Sequence, residues 1–486
     1  MDAAAEDDPR LPLDFPPGDP GESGRLIQCR VSRSAGSVPA LEGFMSRLFR
    51  AARRLSSGCV FALLPLAANA ASNPALHPTT SSAASPGDTA WLLTATALVL
   101  SMTLPGLVAF YSGLVRSKNV LSVAMQCFAI ACLVSLLWVA GGYGMAFGNG
   151  GAWQALVGSP GAILDISRNA LHGTTPLAAF VMFQLTFAII TPALVVGGFV
   201  ERMKFSAVLW FSGLWLIVVY LPVCHWVWGG GWLEQRGVLD FAGGIVVHVT
   251  AGTGALVAAL VLRQRKGFPH TAMPPHNMPL TILGAGMLWV GWFGFNGGSA
   301  LAANSSAAMA ILVTHLGAAT GALAWMTAEW LRFGKPSVLG IVTGMVAGLG
   351  TITPASGFVG PLGAIAIGAA AGLVCFSATQ LLKRKLHVDD SLDVSPVHGV
   401  GGVLGTTLTG IFVASQLGGV GYAAGMTLAR QVGIQILAVA AAAIWCAIGT
   451  YVILKVLQAT IGLRVSEDHE REGLDLSQHG ERAYIE

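Results

Sequence analysis

Charge is what this sequence has least of. Only 10% of its 486 residues are Asp, Glu, Lys or Arg, against roughly 25% in soluble domains. That scarcity excludes a chain that meets water along most of its length. The formal net charge of +3 is too small for a nucleic-acid partner. Cysteine is sparse as well: Cys29 and Cys59 lie near the N-terminus, and the other five are scattered through apolar runs without paired spacing. Neither a disulfide framework nor a zinc site is indicated. The apolar spans hold no adjacent carboxylates and the chain no His-x3-His spacing, which argues against an intramembrane metalloenzyme. What the chain has instead is 54% hydrophobic residues and 62 glycines without a collagen-like period. Such glycine suits helices that approach closely within a membrane.

Residues 1–44 are polar, with Pro, Gly and acidic groups and no periodic apolar face. They read as disordered chain or as an upstream extension from a misplaced start. Residues 45–70 carry the marks of a signal peptide: Arg47, Arg50, Arg53 and Arg54, then an apolar run from Gly58 to Ala68, then Ala68-Asn69-Ala70. The apolar run is too short to span a bilayer. Cleavage there predicts a mature chain beginning near Ala71, with residues 71–89 forming an extracytoplasmic segment.

Eleven apolar spans are expected after Pro86, at about 90–112, 120–147, 177–200, 205–227, 241–262, 279–296, 305–330, 337–353, 357–381, 396–414 and 426–462. Twelve Lys and Arg fall in the odd-numbered connections, but only Arg168, Arg236 and Arg430 in the even-numbered ones. The positive-inside rule then places the odd loops in the cytoplasm, the mature N-terminus outside and the C-terminus inside. Met102-x3-Gly106-x3-Phe110 in the first span returns as Met287-x3-Gly291-x3-Phe295 in the sixth. His248-x3-Gly252 in the fifth returns as His398-x3-Gly402 in the tenth. A five-span offset inverts a repeat, so the expected fold class is an all-α polytopic membrane protein of two inverted five-helix halves plus a long final helix. The substrate path would lie between the halves.

Ionisable groups at membrane depth are costly and mark function. His248 and His398 occupy equivalent places in the two halves and are expected to meet near the bundle axis, where neutral rings offer one donor and one acceptor nitrogen each. Phe183, Phe187, Trp226, Trp228, Trp292, Phe293 and Phe295 cluster near outer helix ends. An interfacial belt would explain some of them, Trp91 and Trp153 in particular. However, Trp228 sits within Trp-Gly-Gly-Gly-Trp and Phe295 within Phe-Asn-Gly-Gly-Ser, which leaves ring faces open. A desolvated ring can attract a monovalent cation by ~2 kcal/mol, and Ser299 would add an acceptor. Asp240 opens the fifth span and reads as a helix N-cap rather than an ion ligand. Asp393, five residues before His398, is similarly ambiguous. Glu201, Arg202 and Lys204 read as surface ion pairing.

Seven stretches, in this order, resemble the Amt/MEP/Rh ammonium transporters of the bacterial AmtB type. They are PGLVAFYSGLVRSKNVLS from Pro105, FQLTFAIITPALVVGGFVERMKFSAV from Phe183, WVWGG from Trp226, DFAGGIVVH from Asp240, WVGWFGFNGGSA from Trp289, DVSPVHGVGGVLGT from Asp393 and GLRVSEDHEREGLDLSQHGERAY from Gly462. The resemblance implies a homotrimer in the bacterial inner membrane, with one pore in each eleven-helix subunit (90–462) and no cofactor or enzymatic activity. It further implies an outer recruitment site of Phe187, Trp228 and Ser299 and a gate of Phe187 and Phe295 beside Trp292. His248 and His398 would be the pore pair, with Asp240 as structural support. The implied substrate is ammonium or ammonia, with methylammonium as an analogue. Residues 463–486 resemble a cytoplasmic regulatory tail that helps dock PII-type signalling proteins. The departures are residues 1–44 and Gly297, where Ala would be expected. A membrane ammonium sensor, signalling through the tail, is the alternative of a different class.

Overall fold

The computed structural model describes residues 83–484, so the signal-peptide expectation lies outside the described residues. Ten helices there are long and apolar enough to cross a membrane. These are α1 (Pro86–Leu114), α2 (Ser117–Phe147), α3 (Leu177–Gly198), α4 (Phe205–Trp228), α5 (Gly244–Leu262), α6 (Met278–Gly297), α7 (Ser305–Phe333), α8 (Val338–Ala355), α9 (Pro361–Lys385) and α11 (Leu428–Thr460). The remaining expected span, α10, is helical over Ser395–Gly399 and Val400–Phe412. Rich in Gly and Thr and carrying His398, it falls outside the ten. A two-residue hairpin, β1 (Leu171–His172) with β2 (Thr175–Pro176), lies between α2 and α3.

The helix starts follow from local chemistry. The side chains of Ser85, Asn277, Asn304, Ser337 and Thr427 each accept a backbone N–H from the first turn of α1, α6, α7, α8 and α11. These are the residue types that satisfy the free N–H groups of a helix start. Pro86, Pro279 and Pro361 stand in opening turns, where a missing N–H costs nothing. Burial is uneven: over an 18-residue stretch, 94% of α3 is inside the molecule, against 39% of α11. Helix α3 is therefore an inner wall and α11 an outer one.

The repeat read from sequence is a packing device. A Cβ on Gly106 would lie 3.4 Å from Cβ of Met287, and Gly291 in turn packs against Cβ of Met102. Each half thus supplies the glycine on which the other half's methionine sits. The second pair does the same: Gly252 packs against the backbone of His398 and Gly399, and a Cβ on Gly402 would lie 3.0 Å from Cβ of His248. At Gly291, Gly252 and Gly402 a Cβ would come within 3.0 Å of its neighbours, so these crossings need glycine, and the second pair brings the two histidine segments together.

One end of the bundle carries the basic loops. Glu201 and Arg202, expected as surface ion pairs, are fully buried there. Glu201 pairs with Arg116 at 3.0 Å and Arg265 at 2.7 Å, and accepts from Asn119 at 2.9 Å. Arg265 also pairs with Asp389 at 2.7 Å, while Arg202 donates to Ser391 Oγ at 2.6 Å and to the carbonyl of Gly198 at 2.9 Å. The correction has a physical reason: the loops fold over one another, and charges removed from water must find partners. Burial pushes the Glu201 carboxyl up, but the Arg265 and Arg116 guanidiniums prevail and hold it at about 2. Burial brings Arg202 down to about 10.

The tail packs on this same end. Val465 donates to the carbonyl of Arg202 and Lys204 to that of Leu463. Glu470 of the short helix α12 (Glu467–Glu472) accepts from the Lys266 amide and pairs with Arg464 at 2.6 Å. Asp475 caps α2 through the amides of Leu121 and Ser122, at 3.0 and 2.7 Å. Tyr484 donates to His276, whose other ring nitrogen donates to the Val115 carbonyl.

Candidate functional site

The site is a file of rings running inward from the end opposite the basic loops. Trp228, half-buried at the close of α4, donates its indole N–H to the Asp240 carbonyl at 2.8 Å. Its ring meets Phe187 of α3 edge-on, with centroids 5.8 Å apart. Phe187 in turn lies 4.3 Å from Phe295 of α6. Both phenyl rings are buried, and no ion would pass between them without their moving. Ser299 is half-buried beside them, its hydroxyl donating to the Phe295 carbonyl at 2.9 Å. Trp292 stands behind Phe295 at 5.6 Å and is fixed by an indole hydrogen bond to Thr353 Oγ1 at 2.8 Å.

Below Phe295 come the histidines. His248 stacks on Trp292 at 5.5 Å and on Phe295 at 6.1 Å. His248 and His398 lie nearly parallel, 5.2 Å apart, with their Nδ1 atoms at 3.2 Å. That contact is a hydrogen bond only if one Nδ1 donates and the other accepts. The pair therefore shares one hydrogen, and which ring carries it fixes the outward-facing role of each Nε2. Nε2 of His248 has no partner among the described residues.

Both rings line a narrow space of about 10 Å³, walled by Leu107, Phe110, Ile190, Leu194, Leu288 and Val346 among others. It is barely the size that holds one water. His398 also borders a wider space of about 110 Å³ toward the basic loops, lined by Tyr111, Met273, Thr343, Lys383 and Asp393. The histidine pair thus stands between a closed stretch on the Trp228 side and a wider space on the side of the basic loops.

His248, Phe295 and His398 all lie in π-helical turns: Gly244–Val249, Phe293–Gly297 and Ser395–Gly399. Such turns widen a helix by one residue and re-aim its side chains. Asp240 holds the first of them. Its carboxylate accepts from the amides of Gly243 (2.9 Å), Gly244 (2.6 Å), Ile245 (2.8 Å) and Val246 (3.2 Å). Among the described residues, every hydrogen bond that this carboxylate accepts serves the helix start. Asp393 instead pairs with Lys383 at 2.7 Å.

Two residues escaped the sequence reading although the repeat marked both. Asp390 stands eight residues before His398, as Asp240 does before His248, and accepts from the Ser395 amide at 2.6 Å. Burial, with Asp393 alongside, pushes its carboxyl up to about 6. Gly350 of α8 faces both imidazoles: a Cβ there would lie 3.7 Å from His398 Nδ1 and 3.9 Å from His248. Ile190-Thr191-Pro192 in α3 and Ile352-Thr353-Pro354 in α8 align Gly350 with Ala188, the residue after Phe187. Trp91 donates its indole N–H to the Gly297 carbonyl at 3.1 Å. A Cβ on Gly297 would come within 2.7 Å of Ile311 and 3.1 Å of Trp91, so the missing methyl makes room for that indole.

Residues 90–484 match the model of the Ammonium Transporter Family. The chain belongs to that family. It is 50% identical over 405 residues to an ammonium transporter of Aquifex aeolicus, covering 82% of this chain and 93% of that protein. It is 46% identical over 409 residues to the ammonium transporter of Bacillus subtilis, covering 82% and 98%. Among solved structures it resembles a sensor Amt protein, with a TM-score of 0.76 at 30% identity, covering 81% of this chain and 98% of that one. Mep2 of Saccharomyces cerevisiae is similar at a TM-score of 0.70 and 35% identity, covering 80% and 92%. The family, the all-α multi-pass fold and ammonium transport as the general function thus stand together.

Proposed function

We propose that this transporter recruits ammonium at Trp228, Phe187 and Ser299, strips its proton, and passes ammonia between Phe187 and Phe295 and along His248 and His398. The observation that carries this reading is the histidine pair itself: Nδ1 atoms 3.2 Å apart in a passage otherwise walled by aliphatic and aromatic groups. An unpaired ion cannot cross such a passage cheaply, because desolvation outweighs any cation–π attraction. Loss of the proton removes most of that cost. The pair gives that proton a separate route: the unprotonated Nε2 of one ring takes it up, the shared hydrogen passes from one Nδ1 to the other, and the second ring releases its Nε2 proton. The working setting is the bacterial inner membrane, with the mature N-terminus outside, the tail in the cytoplasm and three subunits per assembly. The test is the current across a solid-supported membrane after an ammonium jump, with sodium and potassium as controls. Wild type should give ammonium-selective current, and the His248→Ala/His398→Ala protein should lose that selectivity. Unchanged selectivity in the double variant would sink the role given to the pair.

Sensing is the second reading, favoured by the likeness to a sensor Amt protein and by a tail anchored to four separate loops or helix starts. Here a PII-type protein would read the tail and close the inner mouth. Binding without ammonium current in proteoliposomes would select this reading. Deleting residues after Arg464 should weaken both transport and PII binding under the first reading.

A further inference from the structure

Away from the pore, a groove of about 1200 Å³ runs between the basic-end halves of α5 and α11. Its floor is apolar and open: Leu260 and Ile448 are each 58% exposed, and Tyr451 is 50% exposed. Its mouth, where the two helices end, gathers Arg263, Lys266, Lys455 and Arg464 with Glu467 and Glu470. Both acids are already engaged, Glu467 by Lys266 and Glu470 by Arg464. That leaves a surplus of two cations. Arg263 has no hydrogen bond or ion pair among the described residues, and Lys455 only meets Gln458 at 3.3 Å and the Tyr451 ring at 5.5 Å.

We propose that this groove binds one anionic phospholipid, its acyl chains along Leu260 and Ile448 and its phosphate between Arg263 and Lys455. Charge and depth together select this occupant. In a multi-pass protein the outer faces of α5 and α11 meet acyl chains, which are flexible enough to fill an irregular channel. The unpaired cations stand at the helix ends, the level at which headgroups lie. A neutral lipid would fill the groove and leave both cations unanswered. A docked second copy would need acidic groups on its apolar face to meet them.

The experiment is native mass spectrometry of the delipidated full-length protein, titrated with phosphatidylglycerol and with phosphatidylcholine of the same chains. Wild type should retain phosphatidylglycerol preferentially. Lys455→Gln should lower that preference about fivefold and Arg263→Gln/Lys455→Gln by a further similar factor, as expected for loss of single cation–headgroup attractions. Phosphatidylcholine binding should stay unchanged in both. Ile448→Trp, which fills the groove without touching charge, should weaken both lipids. Lys335→Gln/Arg384→Gln, a control at the same end of the bundle, should behave as wild type. Equal retention of the two lipids by wild type overturns the proposal, as does a preference that survives the double variant or falls equally in the control. Efficient cross-linking between subunits through Leu260→Cys and Ile448→Cys would also overturn it, since a protein copy would then occupy the groove.

Discussion

Replacing Asp240 by Ala tests whether the most connected carboxylate in the site holds the helix or the ion. Its two oxygens accept four backbone amides, at 2.6 to 3.2 Å, and the residue is 6% exposed. A buried donor left without an acceptor costs about 1–3 kcal/mol. Even at the low end, four orphaned donors amount to roughly 4 kcal/mol, a loss exceptional for one substitution. Asp240→Asn keeps one carbonyl oxygen for two amides and turns its NH2 group toward the other two, so about half of that loss is expected. Stability should therefore fall in the order wild type, Asn, Ala. His248 sits in the π-helical turn that Asp240 caps, so flux should fall in the same order. The assay is the fraction of monodisperse protein that survives graded heating in detergent, read beside ammonium current. If both variants match wild type in heat resistance while only the half-saturating ammonium concentration rises, Asp240 touches the ion and the capping argument is wrong.

Trp228→Leu keeps apolar bulk but removes a half-buried ring worth roughly 1–2 kcal/mol to a cation. The half-saturating ammonium concentration should rise by about 5- to 30-fold, and an unaltered value would return Trp228 to the interfacial belt. Gly350→Leu should leave a folded protein with little flux, because its side chain must enter the space facing both imidazoles; near-normal current would show that the passage runs elsewhere. Glu201 has a folded-state value of about 2 against an ordinary 4.5. The stability it contributes is fully present above about 4.5 and is lost as pH falls toward 2. Glu201→Gln should be less stable than wild type at pH 7 and lose less on acidification through that window. Parallel acid-unfolding profiles for the two proteins would refute this assignment.

The sequence by itself determined the fold class, because charge scarcity and long apolar runs leave few alternatives. Ten of its expected spans match helices to within a few residues, since capping Ser, Asn and Thr and opening Pro act locally. It also determined the inverted repeat. Glycines at fixed distance from Met and His record a packing requirement that both halves must meet. The tertiary structure decided what depends on three bodies at once. Glu201 and Arg202 carry the same charges on a surface or in an interior, and only the folding of the loops over one another shows which. Gly350 lacks a side chain to attract notice; its part emerges once α8 is seen to face the rings from α5 and α10. The 3.2 Å contact between His248 and His398 is likewise beyond sequence, because a repeat can make two residues equivalent without saying how closely their helices cross.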